Sequence, residues 1–372
     1  MAAIASLRLI DYRSYSALDT EFHPGVIALY GPNGAGKTNL LEAISLLSPG
    51  RGLRRAKTDA LARICDGSRA PGWGINAFLY QPDDQDKLQI SIGQVPEQAN
   101  RRLVRIDGRH ASGTELAKYV SLLWLTPAQD RLFTGPASDR RKFIDRFALA
   151  YNAEHGSHAI RFEKARSERN RLLSDGVTDW SWYNAIEADL ADFGAKMAQT
   201  RVLTIEQLQA QISSRETIFP RSLIGLDGLL EGKFSQVQSL SDVTDFYRSC
   251  LKEDRSIDLR AGRTLKGPHR TELHVTHAAK AMPAGLCSTG EQKALLIGLI
   301  LAQARALKDK APILLLDEVA AHLDEIRRAA LAEELLDLGL QVFMTGTDKD
   351  LFSDFGERAQ HMKVSDGHID AA

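Results

Sequence analysis

The sequence predicts a mixed α/β fold in which a parallel core carries a grafted antiparallel β-subdomain and an inserted helical lobe. Three observations predict it. The apolar run Val26–Tyr30 leads into GPNGAGKT at Gly31–Thr38 and then into a helical pattern from Asn39 to Leu47. A second buried-type run, Ile313–Leu316, ends far down the chain in Asp317-Glu318. Between them, from about Ala137 to Glu216, the apolar spacing changes to a helical period.

The front of the chain reads as strands. Ser6–Tyr12 and Leu18–Phe22 precede the strand at Val26, and a basic stretch, Arg51–Arg63, follows the first helix. Trp73–Tyr80, Lys87–Ile92 and Leu103–Ile106 are alternating runs separated by Pro-Asp and Asp-Gly turn signals, which predicts an antiparallel subdomain. Leu122–Leu125 resembles a buried strand that stops at Thr126-Pro127. In the helical stretch Phe143, Phe147 and Tyr151 recur every fourth residue. Ile186, Leu190, Phe193 and Met197 step by four, three and four, and Ile205, Leu208 and Ile212 continue. These are core faces of two or three amphipathic helices rather than a coiled-coil arm, since each helix reaches only a few tens of ångströms at ~1.5 Å per residue. The last third returns to α/β, with strands at Glu272–Thr276, Ile313–Leu316, Gln341–Thr345 and His361–Val364 and helices at Gly290–Leu307 and Glu325–Leu336. The expected organisation is 1–135 and 256–372 as two parts of one nucleotide-binding head, with 136–255 inserted as the helical lobe.

Composition narrows the class. The 372 residues are enough for two domains, and 44% apolar with 26% charged content is ordinary for a soluble globular protein. Cys65, Cys250 and Cys287 form no C-x-x-C, which excludes a zinc knuckle or a disulfide framework and fits a reducing compartment. Arg8 and Asp11 interrupt any signal-peptide core, and the most apolar stretch, Ala294–Ala302, is too short to span a bilayer. A cytoplasmic protein with no membrane partner is expected. The net charge of -1 hides an uneven distribution: Arg101 to Arg171 holds 15 basic against 8 acidic residues, which suggests a polyanion-binding face or a solvated helix surface.

The chemistry is concentrated at the two strand ends. In G-x-x-x-x-G-K-[ST] the glycines let successive backbone N–H groups point at phosphate oxygens, so Gly31, Pro32, Asn33, Gly34, Ala35 and Gly36 form the cradle. Lys37 adds a point charge at the β/γ-phosphates and Thr38 offers a hydroxyl to Mg²⁺. Asp317, at the carboxyl edge of the sheet, suits the same Mg²⁺, and Glu318 suits a general base for the attacking water. Ser288-Thr289-Gly290 opens a long helix, itself an anion site; it serves either a partner subunit's ATP or as an S-x-x-E capping box with Glu291.

Several stretches carry a family resemblance: GPNGAGKTNLLEAI at Gly31–Ile44, GRGLRR at Gly50–Arg55, and TPAQDRLFTGPASDRRKFID at Thr126–Asp145. GPHRTEL at Gly267–Leu273, STGEQK from Ser288, LLLDEVAAHLD at Leu314–Asp324 and MTGTD at Met344–Asp348 complete the set. Together they resemble the RecF family, ABC-type P-loop ATPases related to SMC heads, nearly end to end. The resemblance implies an ATP-switched recombination mediator of DNA repair, replication and the SOS response. It implies an ATP-dependent homodimer on double-stranded and gapped DNA, with a RecR-type mediator protein as partner. It further implies that Ser288 and Gly290 contact the opposite γ-phosphate, that Asp324 is the D-loop residue bridging subunits, and that Arg54 approaches nucleotide or DNA. Gln129 falls where ABC proteins place a Mg²⁺-contacting glutamine, a position at which this family often carries other residues. Where transporter ATPases have a switch histidine this chain has Thr345-Gly346-Thr347-Asp348, so slow, switch-like hydrolysis is expected; His322 reads as structural and Arg270 has no assigned role. A transporter subunit is disfavoured by that missing histidine and by the helical lobe, and an SMC-type head by the absence of long arms. For DNA, the basic bias points to Arg101, Arg102, Arg105, Arg140, Arg141 and Lys142, although pairing with Asp139 and Asp145 on the same helix is the competing reading.

Overall fold

The computed structural model describes residues 3–80, 87–95, 98–214, 216–236 and 239–371, so the Pro82-Asp83 turn signal lies outside it. The chain forms two compact units. One comprises Met1–Asp130, Thr217–Phe219 and Leu296–Ala372, and the other Arg131–Glu216 and Pro220–Leu295.

The first unit contains two six-stranded sheets. One is the nucleotide-type core, in the order Leu122–Leu125, Ile313–Leu316, Val342–Gly346, Val26–Tyr30, Ala359–Ser365 and His368–Ala371. Every pair is parallel except the last. Its central strands are continuous apolar runs because both faces are covered: all four residues of Ile313–Leu316 are buried. The second sheet is antiparallel, in the order Tyr15–Glu21, Ile4–Tyr12, Gly74–Leu79, Leu88–Val95, Gln98–Ile106 and Arg109–Ala111. Here the buried residues alternate, as Ile75, Ala77 and Leu79 do, because one face packs inward. A single core joins the two sheets through Leu7, Ile27, Leu41, Ile90 and Leu315. The grafted antiparallel subdomain is therefore as expected, although its second strand begins at Tyr15 rather than Leu18. The reason is a tight turn in which Tyr12 pairs with Tyr15 and both Asp11 and Arg13 adopt positive φ.

The second unit is mainly helical: Ala137–Tyr151, His155–Ser174, Ser181–Ser214, Leu229–Phe234, Leu240–Glu253 and Arg255–Ala261. The 34-residue helix Ser181–Ser214 is ~50 Å long at ~1.5 Å per residue, yet Leu190, Met197, Ile205, Leu208 and Ile212 are buried along it. Most of the periodic apolar positions are core, as the sequence indicated, with Ile186 and Phe193 partly buried against it. This unit also reaches past the expected boundary at 255. The physical reason is strand pairing: Glu272–His277 pairs antiparallel with Ser222–Asp227, which ties the GPHR segment and everything up to Leu295 to the helices. The helix Thr289–Ala306 begins in this unit and ends in the other. No helix among the described residues is long and apolar enough to cross a membrane.

Among the described residues of the second unit two arginines, Arg169 and Arg201, are fully buried, and each is surrounded by acceptors. Arg169 donates to Glu187, Asp258 (2.6 Å), the Thr264 hydroxyl and the Leu251 carbonyl. Arg201 makes a two-pronged pair with Asp145 at 2.8 and 3.0 Å and also reaches Glu231, the Pro268 carbonyl and the Thr271 hydroxyl. A buried charge is tolerated only when paired and hydrogen-bonded in this way.

Candidate nucleotide-binding site

The loop Gly31–Lys37 takes its shape from glycines. Gly36 precedes the helix Lys37–Ser45 with φ 113°, and a Cβ there would lie 2.8 Å from the Ser14 and Tyr15 hydroxyl oxygens. Gly31 has φ 150°, and its Cβ would stand 2.1 Å from the Val364 carbonyl oxygen. The buried Tyr15 hydroxyl donates to the Gly36 carbonyl at 2.9 Å, so the first hairpin braces the loop. Lys37 lies along it, donating to the Gly31 and Pro32 carbonyls at 2.6 and 2.8 Å. Burial pushes the Lys37 ammonium down from its usual range, while the Glu318 and Asp317 charges push it back up. The helix is anchored one turn on: Glu42 is fully buried and Arg13 clasps it at 2.8 and 2.9 Å. Asn39 donates to the Ser14 hydroxyl and accepts from Arg54 at 2.9 Å, which places Arg54 beside the first turn of that helix.

Asp317 ends its strand 5% exposed, and Thr38 donates to its Oδ1 at 3.0 Å. Residues 279 apart in sequence therefore meet at one sheet edge, where the parallel topology brings two strand ends together. The Thr345 hydroxyl donates to the same Oδ1 at 2.8 Å and accepts the Glu318 N–H at 2.9 Å. Glu318 has φ 54°, a left-handed conformation that costs a non-glycine residue about 1–3 kcal/mol and persists where its surroundings hold it. Burial pushes the Asp317 carboxyl up, the Thr345 and Thr38 hydroxyls pull it back, and the neighbouring Glu318 charge adds to the rise. Hydroxyl and carboxylate oxygens suit a hard cation, so Thr38 and Asp317 fit Mg²⁺. Thr345 escaped the sequence reading, which noted only the missing histidine; the available signal was a hydroxyl residue ending the strand beside Asp317.

Gln129 turns its side-chain oxygen back to the Thr126 N–H at 3.0 Å, capping a short turn. Asp324 caps the helix Glu325–Leu338 by accepting the Arg327 N–H at 2.8 Å. Ser288 and Glu291 form the capping box: Glu291 accepts from the Ser288 N–H and hydroxyl at 3.0 and 2.9 Å. Lys280 and those two Ser288 donors hold the Glu291 carboxyl down at about 2. Ser288, Thr289 and Gly290 are all exposed, as is Arg270. The His322 side chain lies outside the described residues.

The family model described as RecF/RecN/SMC N terminal domain matches residues 3–370. The DNA replication and repair protein RecF of Mesorhizobium japonicum is 48% identical over 372 residues, 98% of this chain and 97% of its own. That of Brucella suis biovar 1 is 47% identical over 373 residues, 99% of this chain and 96% of its own. This chain belongs to the RecF family. A solved structure of the recombination mediator protein RecF-ATPrS in the RecFOR pathway shares its fold, with a TM-score of 0.84 at 24% identity over 100% of this chain and 98% of that one. An Smc head domain from Pyrococcus furiosus shares it more distantly, with a TM-score of 0.56 at 17% identity over 100% and 96%. Family membership makes the chain an ABC-type ATPase of DNA replication and repair.

Two of the stretches that carry the RecF resemblance meet inside the second unit. Arg140 pairs with Glu272 through Nε and Nη2, and its third guanidinium nitrogen, Nη1, donates to the Leu132 and Gly135 carbonyls. Arg141 donates to the Thr271 carbonyl at 3.0 Å, and Asp145 holds Arg201, which reaches Pro268 and Thr271. Gly135–Asp145, the end of the Thr126–Asp145 stretch, and GPHRTEL are thus halves of one latch. Arg140 and Arg141 are thus engaged within their own unit, and Lys142 pairs with Asp139 at 2.9 Å, the alternative to a free basic face. The charge excess counted from sequence could not reveal acceptors 130 and 132 positions away.

In this RecF-family chain Gly36→Ala is expected to destabilise the fold by about 1–3 kcal/mol and to weaken ATP binding, since both the φ and the Tyr15 hydroxyl oppose a Cβ. Thermal unfolding and an ATP titration check this. Unchanged values in both would mean that the hairpin does not brace the loop.

Proposed function

We propose that the chain is an ATP-switched dimer that binds duplex DNA near single-strand gaps and acts as a recombination mediator in repair, replication and the SOS response. The observation that carries the dimer is the exposed N-terminus of the helix Thr289–Ala306 at Ser288, Thr289 and Gly290. A Cβ on Gly290 would meet nothing within 4 Å, so a phosphate brought by a second copy can approach closely. The loop Gly31–Thr38 already serves the chain's own nucleotide, and Asp324 with Ile326, 70% exposed, offers a further surface to the partner. Bound Mg²⁺ would screen the phosphate charge, held by Thr38 and Asp317. The loop N–H groups and Lys37 orient the phosphates, and Glu318 accepts the proton of the attacking water. Hydrolysis is slow and resets the dimer. A RecR-type protein is the mediator partner, and the cytoplasm the compartment.

Gel filtration with and without ATP, and with and without a gapped duplex, tests the whole reading. ATP should convert monomer to dimer. Ser288→Arg should still bind ATP but remain monomeric, because bulk and charge would meet the partner's phosphate. Normal ATP-dependent dimerisation by that variant would sink the shared site.

For DNA, the basic residues of the antiparallel sheet remain: Arg101 and Arg105 are exposed, and Arg102 donates to the Gly50 carbonyl. Two such faces joined by ATP double the phosphate contacts, and each contact contributes about 0.9 to the slope of log affinity against log salt. Arg101/Arg102/Arg105→Ala is expected to weaken duplex binding about equally for all sequences and to flatten that slope. A titration at several salt concentrations decides it: an unchanged slope puts the DNA elsewhere, and binding without ATP removes the clamp.

A further inference from the structure

Thr345 Oγ1 touches both members of the Asp317-Glu318 pair. A hydroxyl has one proton and two lone pairs. The Glu318 N–H occupies a lone pair at 2.9 Å, so the proton is directed to Asp317 Oδ1 at 2.8 Å. The polarity of this contact is fixed by the backbone. Thr345 is 1% exposed, and its strand Val342–Gly346 lies between Ile313–Leu316 and Val26–Tyr30. Its β-branched side chain has little rotational freedom. At the next residue, a Cβ on Gly346 would lie 2.9 Å from the ring of the fully buried Phe352, so the strand end is closely packed.

Glu318 is the residue that most needs such support, because its φ of 54° is one that an L side chain rarely adopts. The Asp317 N–H is engaged by the Leu125 carbonyl at 2.9 Å, but Glu318 has left the strand and finds its acceptor in a side chain instead. No described residue donates to Asp317 Oδ2; both hydroxyls converge on Oδ1 and fix the orientation of the carboxylate.

We infer that Thr345 is a positioning residue for ATP hydrolysis: its hydroxyl orients the Asp317 carboxylate and pins the left-handed backbone that aims Glu318. It gives up no proton and touches no substrate; it acts through its two neighbours. The inference deepens the proposed function, because it takes Glu318 as the general base.

The test compares full-length Thr345→Val, which keeps the branched shape and removes the hydroxyl, with Thr345→Ser, which keeps the hydroxyl. Steady-state ATP hydrolysis is measured beside equilibrium binding of the non-hydrolysable analogue AMP-PNP. Thr345→Val should lower kcat by about 10–100-fold, the scale of a misplaced catalytic group, with analogue affinity held within about threefold. Thr345→Ser should stay within about threefold of the parent in both. Hydrolysis by Thr345→Val at the parental rate overturns the inference. So does equal impairment of the two variants, or a parallel loss of analogue affinity, since either reduces Thr345 to packing. Glu318→Gln assayed alongside separates the two levels. If that variant hydrolyses ATP normally, the base assignment fails and the inference with it. If it is inactive while Thr345→Val is normal, the inference alone fails. The double variant should be slower than Glu318→Gln by less than the roughly 10–100-fold of Thr345→Val alone, because the part of the Thr345 effect that acts through Glu318 is already lost.

Discussion

Glu318→Gln is expected to bind ATP like the parent and to hydrolyse it about 10²–10⁴-fold more slowly, the range a positioned general base contributes. The substitution preserves size and leaves Lys37, Thr38 and Asp317 in place, with Thr38 still 3.0 Å from Asp317. The backbone contact from residue 318 to Thr345 does not involve the carboxylate, so the local geometry survives. What disappears is the carboxylate proposed to take the water's proton. If dimerisation follows bound ATP and dissociation follows hydrolysis, this variant accumulates as a long-lived dimer on gel filtration. Lys37→Ala should behave in the opposite way, with no ATP binding and no dimer, because the phosphates lose their cation. Turnover by Glu318→Gln at the parental rate would mean that another group activates the water.

The largest stability effect should come from Arg201→Met. The substitution keeps an apolar stem of similar length but strands the Asp145 and Glu231 carboxylates, and Arg201 itself is 2% exposed. Breaking one side of a buried pair costs about 3–5 kcal/mol, because the remaining charges keep their desolvation penalty. Urea unfolding reads the loss, and a change below about 1 kcal/mol would mean that water reaches the carboxylates freely. The same site carries a pH dependence. Burial alone would raise the Asp145 carboxyl, but Arg201, together with His155 at 2.9 Å, outweighs it and holds it well below the usual carboxylate range. A depressed folded-state value contributes stability that is fully present above the unfolded value of about 3.9 and is lost as pH falls through the folded one. Stability should therefore decline with acid below about pH 4–5, and Arg201→Met should remove that part of the decline.

The nucleotide loop and the Asp317-Glu318 strand were legible in the sequence because both are local devices. A glycine pattern dictates which backbone N–H groups are exposed, and an apolar run of strand length dictates where a carboxylate leaves the sheet. The core faces were legible for the same reason, since a helical repeat such as Ile205, Leu208 and Ile212 encodes burial without reference to any other segment.

Everything that depends on a partner far along the chain was decided by tertiary structure. Arg140 reads as a basic surface residue until Glu272, 132 positions on, is found against it. The extent of the helical unit is fixed by pairing between Glu272–His277 and Ser222–Asp227, which no window of sequence contains. Thr345 looks like one more buried strand residue until folding brings it within 2.8 Å of Asp317. A hydroxyl or guanidinium has no intrinsic role: its chemistry is set by which acceptors the fold brings within about 3 Å, and that choice is long-range.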